Sequence, residues 1–138
     1  MHDQPEEPPV YGQGDASFRA AGGEEGLRRL VDCFYDLMAT RAEAAGILAM
    51  HPEDLEISRD KLTRFLCGWL NGPRRYQEKY GEISIAGSHA HLAIGPADRD
   101  AWLSCMRDAL AEQPYAESFK VYLLRELSKP AQRVTNRP

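Results

Sequence analysis

Residues 24–41 read EEGLRRLVDCFYDLMATR, and their spacing decides the fold class. Leu27, Leu30, Val31, Phe34 and Met38 recur at intervals of three and four, which puts them on one face of an α-helix. Tyr35 borders that face, four residues after Val31 and three before Met38. Glu24 and Glu25 stand at the start, where the positive end of the helix dipole favours acids. The same period returns downstream. In SRDKLTRFLCGWLNGP, residues 58–73, the residues Leu62, Phe65, Leu66, Trp69 and Leu70 form an apolar stripe. Ser58 is a candidate cap there, and Asn71-Gly72-Pro73 a stop. In PADRDAWLSCMRDALAEQ, residues 96–113, Pro96 suits the first helical position, with Asp98 and Asp100 in the first turn. Trp102, Cys105, Met106 and Ala109 carry its apolar period.

A last helix is expected from about Tyr115 to Ser128, burying Phe119, Tyr122, Leu123 and Leu127 and ending at Pro130. Shorter helical pieces are GDASFRAAGG, capped by Asp15 and stopped by Gly22-Gly23, then EAAGILAM, ending at His51-Pro52, and RRYQEKYG. A looser, glycine-containing connection follows, up to residue 88. EISIAGS comes nearest to a strand, but it stands alone and one strand makes no sheet. The fold class is therefore all-α.

A chain of 138 residues suits one domain. The expected division is a flexible arm at 1–10, rich in proline and acid, a folded domain at 11–129 and a polar tail at 130–138. The net charge of -4 and the lack of a basic stripe argue against nucleic-acid binding. No apolar run approaches the ~20 residues of a membrane span. MHDQPEEPPV resembles neither a signal nor a transit peptide. Cys33, Cys67 and Cys105 are widely spaced inside helical patterns, so they read as buried thiols rather than a disulfide framework. A cytoplasmic protein is expected.

His51, His89 and His91 fall at junctions between helices, and His2 in the arm. GSHAHLAIG, residues 87–95, holds two of them two residues apart. On a helix such a pair diverges and cannot share one zinc ion, and no further ligands stand at motif spacing. Glycine-rich phosphate loops and a Gly-x-Ser-x-Gly elbow are absent, as is the Cys-x-x-Cys-His of covalent haem attachment. One chemistry needs a single protein ligand. Haem iron has four porphyrin nitrogens and accepts one imidazole, leaving the sixth position open. Tyr35 and Trp102 supply polar tips on apolar faces, consistent with a haem slot and equally with a helical core.

The segments LVDCFYDLM, MHPEDL, KLTRFLCGWLNGP, YQEKYG, SHAHLAIG and RDAWLSCM, in this order and spacing, carry a resemblance to the group II truncated haemoglobins. It spans about Tyr11 to Leu127. The resemblance implies a two-over-two helical sandwich holding non-covalent haem b, with His89 as proximal ligand and His91 pointing elsewhere. It places Tyr35, Trp102 and His51 on the distal side as groups that stabilise a ligand, His51 as an added donor. Ser58 falls at the pocket entrance, Leu62 in its apolar wall and Lys61 near a propionate. Phe65 and Tyr76 complete the cofactor-binding set. The chain departs from the commonest pattern at Asn71-Gly72, where paired glycines are usual, and at Ser88, where an arginine is frequent.

What the resemblance implies about function is binding of O2, CO, NO or peroxide. Donors at Tyr35 and Trp102 would slow oxygen release, which favours redox or detoxification chemistry, such as NO dioxygenation or weak peroxidase activity, over delivery. The chain has no flavin or nicotinamide motif, so a cyclic reaction requires an external reductase. A haem-free helical interaction module, a gas sensor and an oxygen carrier are the alternatives. A monomer or weak homodimer is expected.

Overall fold

The structure, a computed structural model, describes residues 10–82, 85–89 and 92–137. Of the expected arm only Val10 is among them; His2 and His91 lie outside the described residues. Those residues form α1 (Ala16–Ala20), α2 (Gly23–Thr40), α3 (Ala45–Ala49), α4 (Glu56–Trp69), α5 (Arg75–Tyr80), α6 (Ile85–His89), α7 (Pro96–Ala111) and α8 (Glu117–Val134). A 3-10 turn, Ala42–Ala44, precedes α3, and no strand occurs among the described residues.

The apolar face of α2 is buried as its spacing demands: Leu27, Leu30, Val31, Phe34 and Met38 are fully enclosed. It packs on α4 on one side and α7 on the other, and α7 packs on α8. One layer thus holds α2 and α4, the other α7 and α8. Leu66 and Cys67 enter the core from α4, Cys105, Met106 and Ala109 from α7, and Phe119 and Leu123 from α8.

The chain bends sharply at two places. Asn71 follows α4 at φ 66°, the left-handed region, and Gly72 N–H donates to Cys67 O at 2.8 Å while Asn71 N–H donates to Gly68 O. This is a Schellman ending, so asparagine serves where glycine is usual. A Cβ on Gly72 would lie 2.4 Å from the Phe18 ring, which explains why the next residue has no side chain. At the start of α2 the backbone of Ala21 passes so close to Gly26 that a Cβ there would sit 2.0 Å from Ala21 O. The Tyr115 hydroxyl spans that crossing, donating towards Ala21 O at 2.9 Å and Gly26 O at 3.1 Å.

Several expected ends move. Ser58 is no cap: α4 starts at Glu56, whose N–H donates to the Asp54 carboxylate at 3.0 Å. Asp15 precedes α1 without capping it, because its carboxylate accepts from Arg19 Nε. Asp100 lies beyond the first turn of α7 and pairs with Arg99, while Asp98 accepts from the Gly95 N–H at 3.0 Å. The glycine-containing connection contains α6, a single helical turn or so ending at His89. Tyr122 is only half-buried and Cys33 is partly exposed.

The largest difference is at the C-terminus. α8 runs through Pro130 to Val134, so the segment expected as a polar tail begins as helix. Proline lacks one N–H and disturbs one turn. Here the apolar period Phe119, Leu123, Leu127 continues to Ala131 and Val134, and the residues beyond are tied down by hydrogen bonds to Ile94. Packing outweighs the local signal.

Asp60 joins α4 to α5. Burial pushes its carboxyl up, but hydrogen bonds from Tyr80, Lys79 and Arg64 prevail and hold it at about 2. A carboxylate depressed on folding stabilises the protein above its unfolded value, 3.8, and loses that contribution as pH falls towards about 2. In urea melts across this range, Asp60→Asn is expected to be less stable than wild type at neutral pH and to flatten the acid decline.

Candidate haem pocket

Between the two layers lies a cavity of about 410 Å³. Every residue that the resemblance nominated for the cofactor lines it. Tyr35 comes from α2, His51 from the turn after α3, Tyr76 from α5, His89 from the end of α6 and Trp102 from α7. Ser58, Lys61, Leu62 and Phe65 come from α4 at i, i+3, i+4 and i+7, so one helical face supplies all four. The α4 stripe read from the sequence therefore divides: Leu66 and Leu70 enter the core, whereas Leu62 and Phe65 face the cavity.

Phe34 seats the two polar aromatics. Its ring meets Tyr35 edge-on at 5.0 Å between centroids and Trp102 at 4.9 Å. Tyr35 in turn meets the His51 ring at 5.4 Å, nearly perpendicular. Burial drives the Tyr35 phenol well above its usual range, against a smaller opposing effect from Arg59, so it stays protonated and able to donate. Neither the Tyr35 hydroxyl nor Trp102 Nε1 makes a hydrogen bond with a described residue, although no fully enclosed polar side-chain atom among those residues lacks a partner. Both donors remain uncommitted at the cavity wall.

The histidines are oriented by the backbone. His89 Nδ1 lies 2.7 Å from Ile85 O, one turn earlier in α6. His51 Nδ1 lies 2.8 Å from Ile47 O. A carbonyl only accepts, so in each ring Nδ1 carries the proton, and whenever the ring is neutral Nε2 keeps its lone pair. For His89 that leaves the nitrogen an iron ligand needs. The environment of His51 favours the neutral ring. Burial lowers its pKa below 6.5, with His89 adding to the effect and the bond to Ile47 opposing it. When the ring is neutral and Nδ1 donates to Ile47 O, its Nε2 is an acceptor.

Lys61 has no carboxylate partner among the described residues and packs over the Tyr80 ring at 5.3 Å. That leaves a cation at the cavity for an anionic group. Apolar walls, one imidazole from α6 oriented through its Nδ1, two free donors at Tyr35 and Trp102 and an unpaired cation make a donor set that fits haem. Among the described residues no cluster of three or more His, Cys, Asp or Glu could hold a bare metal ion.

Sequence reasoning missed part of the wall. Ile94, Arg99, Pro130, Ala131 and Val134 also line the cavity. The signal for Ala131 and Val134 was present in the continuing apolar period of α8. Arg99 gave none, because an arginine in a first helical turn reads as solvated.

These features define a helical protein built around a largely apolar pocket with a few polar groups in its wall. The profile of the family described as Bacterial-like globin matches residues 16–136. A Group 2 truncated hemoglobin of Bacillus subtilis (strain 168), YjbI, is 33% identical over 114 residues, 83% of this chain and 84% of that protein. The Group II 2-on-2 Hemoglobin from Agrobacterium tumefaciens superposes with a TM-score of 0.83 at 36% identity, covering 88% of this chain and 95% of that one. A truncated oxygen-avid haemoglobin from Bacillus subtilis does so with a TM-score of 0.79 at 32% identity, covering 87% and 98%. The chain belongs to the bacterial-like globins and, among them, to the group II truncated haemoglobins with their two-over-two helical sandwich. Globins bind haem and small gaseous ligands.

Phe34→Ala removes the seat of both donors from a fully enclosed position. It is expected to cost about 3–5 kcal/mol in urea unfolding. Phe34→Leu should cost less and still alter Trp102 fluorescence.

Proposed function

We propose that this chain is a haem b protein that binds dioxygen and other diatomic ligands and uses them in redox or detoxification chemistry. The observation that carries this reading is the cavity itself, lined by His89, whose Nδ1 is set against Ile85 O, and by Tyr35 and Trp102, which have no hydrogen-bond partner among the described residues. Haem b held there supplies an iron with four porphyrin nitrogens, a place for one imidazole and an open position for a small ligand. His89 would be the sole protein ligand, its ring orientation fixed by Ile85 O. Leu62, Phe65 and Tyr76 would cover the faces of the ring system, and Lys61 would meet a propionate. Ser58 lines the same wall and stands at the entrance in this reading.

Tyr35 and Trp102 are the ligand-stabilising pair. Donation to an electron-rich diatomic ligand in a dry pocket strengthens a hydrogen bond to ~1.5–3 kcal/mol. Two such bonds hold dioxygen too tightly for efficient delivery, which favours turnover of NO or peroxide with an external reductase over carriage or sensing. His51 acts beside them as an acceptor that can take the Tyr35 proton donor when no ligand competes. Three unpaired cysteines suit a reducing cytoplasm. Among the described residues no helix is long and apolar enough to cross a membrane. The exposed large apolar residues, Val10, Ile57 and Val121, lie on three separate segments, in keeping with a monomer or weak homodimer.

The test is the ferrous-CO absorption spectrum of the haem-supplied protein beside His89→Ala and His91→Ala. Wild type and His91→Ala are expected to give a histidine-ligated CO complex, and His89→Ala to lose haem or its normal ligation. Wild type without haem overturns the reading in favour of a helical interaction module. In stopped-flow measurements, Tyr35→Phe and Trp102→Phe should each raise the oxygen dissociation rate roughly tenfold or more. Unchanged rates would remove the distal-donor account. Failure to consume NO or peroxide with a reductant present would remove the redox role.

A further inference from the structure

Residues 92–95 join His89 to α7 through few bonds of their own among the described residues. Leu92 N–H donates to His89 O at 3.0 Å, and Gly95 N–H is taken by Asp98. The other hydrogen bonds that residues 92–94 make with described residues go to the far end of the chain. Ile94 N–H donates to Asn136 Oδ1 at 2.9 Å, and Asn136 Nδ2 donates to Leu92 O at 2.7 Å. Asn136 N–H returns to Ile94 O at 2.9 Å, joined on the same oxygen by Arg137 N–H at 3.0 Å. One side chain thus both accepts from and donates to the segment that leaves His89.

That segment is part of the site. Leu92 and Ile94 both line the cavity, and Ile94 is buried. The reason α8 continues past Pro130 becomes clear. Ala131 and Val134 form cavity wall, Arg99 Nη1 donates to Gln132 Oε1 at 3.0 Å, and Thr135 Oγ1 donates back to Ala131 O, delivering Asn136 to the loop. α6, the five-residue helix that carries His89, also packs on α8. A helix of that length is unstable alone and takes its position from what it touches.

We propose that Asn136 is a positioning residue for His89: by holding Leu92 and Ile94 it fixes the imidazole's seat and thereby the quality of its bond to iron. The proposal rests on the haem reading above. Asn136 is not among the residues that line the cavity and acts through the loop. Asparagine suits the place because both its amide oxygen and its amide nitrogen are used. Aspartate would keep the acceptor and lose the donor; alanine would lose both.

The experiment uses the full chain loaded with haem. Its readouts are the iron–histidine stretch in the resonance Raman spectrum of the unliganded ferrous protein and the rate of haem transfer to excess haem-free myoglobin. Asn136→Ala is expected to lower and broaden that band and to speed haem transfer about tenfold, as loss of two ordinary hydrogen bonds implies. Asn136→Asp should shift the band in the same direction by less. Leu123→Ala, which opens the core of α8 away from the cavity wall, should lower stability and leave the band in place. In the haem-free protein, Asn136→Ala should also speed hydrogen exchange at the Ile94 amide. An unchanged band in Asn136→Ala, or an equal shift in Leu123→Ala, overturns the positioning role and leaves the haem reading standing. A wild-type protein with no band that vanishes in His89→Ala overturns the haem reading, and the proposal with it.

Discussion

Burial of one face of α2 is the constraint on which the rest depends. Five large side chains on that face have no exposure, and α2 is the helix that touches both α4 and α7. Fully burying a side chain of this size contributes ~1.5–3 kcal/mol. Once that face is sealed, the rotation of α2 about its axis is settled. Tyr35, one position after Phe34, then falls at the margin of the core, on the cavity wall. Phe34 touches Tyr35 and Trp102 together, so the packing that stabilises the fold also sets the spacing of its two free donors.

The polar groups of the site stand out against the thrift of the rest. The α2–α4 seam is laced by Arg59 to Asp32 and Asp36 and by Arg28 to Glu56, partly exposed pairs of small individual value. Enclosed hydroxyls such as Thr63 bond to the backbone. At the cavity the Tyr35 phenol and the Trp102 indole remain without hydrogen-bond partners among the described residues. Leaving good donors unpaired in a part-apolar space is costly unless a ligand completes them, and a two-over-two globin is where such a ligand is expected.

Two histidines share one device. In both, a carbonyl four residues earlier accepts a hydrogen bond from Nδ1–H, and both residues line the cavity. The outcome differs with the support behind each ring. His51 follows α3 and lies beside Tyr35. His89 ends a helix of five residues, which is held from outside by α8 and, beyond the next loop, by Asn136. The proximal side of the pocket is thus assembled from chain segments more than forty residues apart.

Sequence by itself determined the helical class, the buried faces of α2 and α7, the stop at Asn71-Gly72 and, through resemblance, the residues that meet at the cavity. These are readable because periodicity and turn chemistry act over a few residues. Tertiary structure alone decided the rest. The α4 stripe was one pattern in sequence but serves two surfaces, since helical spacing records which residues are apolar and not what they face. Pro130 read as an end, yet α8 continues because Ala131 and Val134 find a wall to form. The His51 ring is legible as a polar group, but only the fold sets its Nδ1 against a carbonyl one turn away. The tie between Asn136 and Leu92–Ile94 had no local signature, because an asparagine near a terminus looks alike whether it is solvated or bonded to a distant loop. Only folding brings the two ends together.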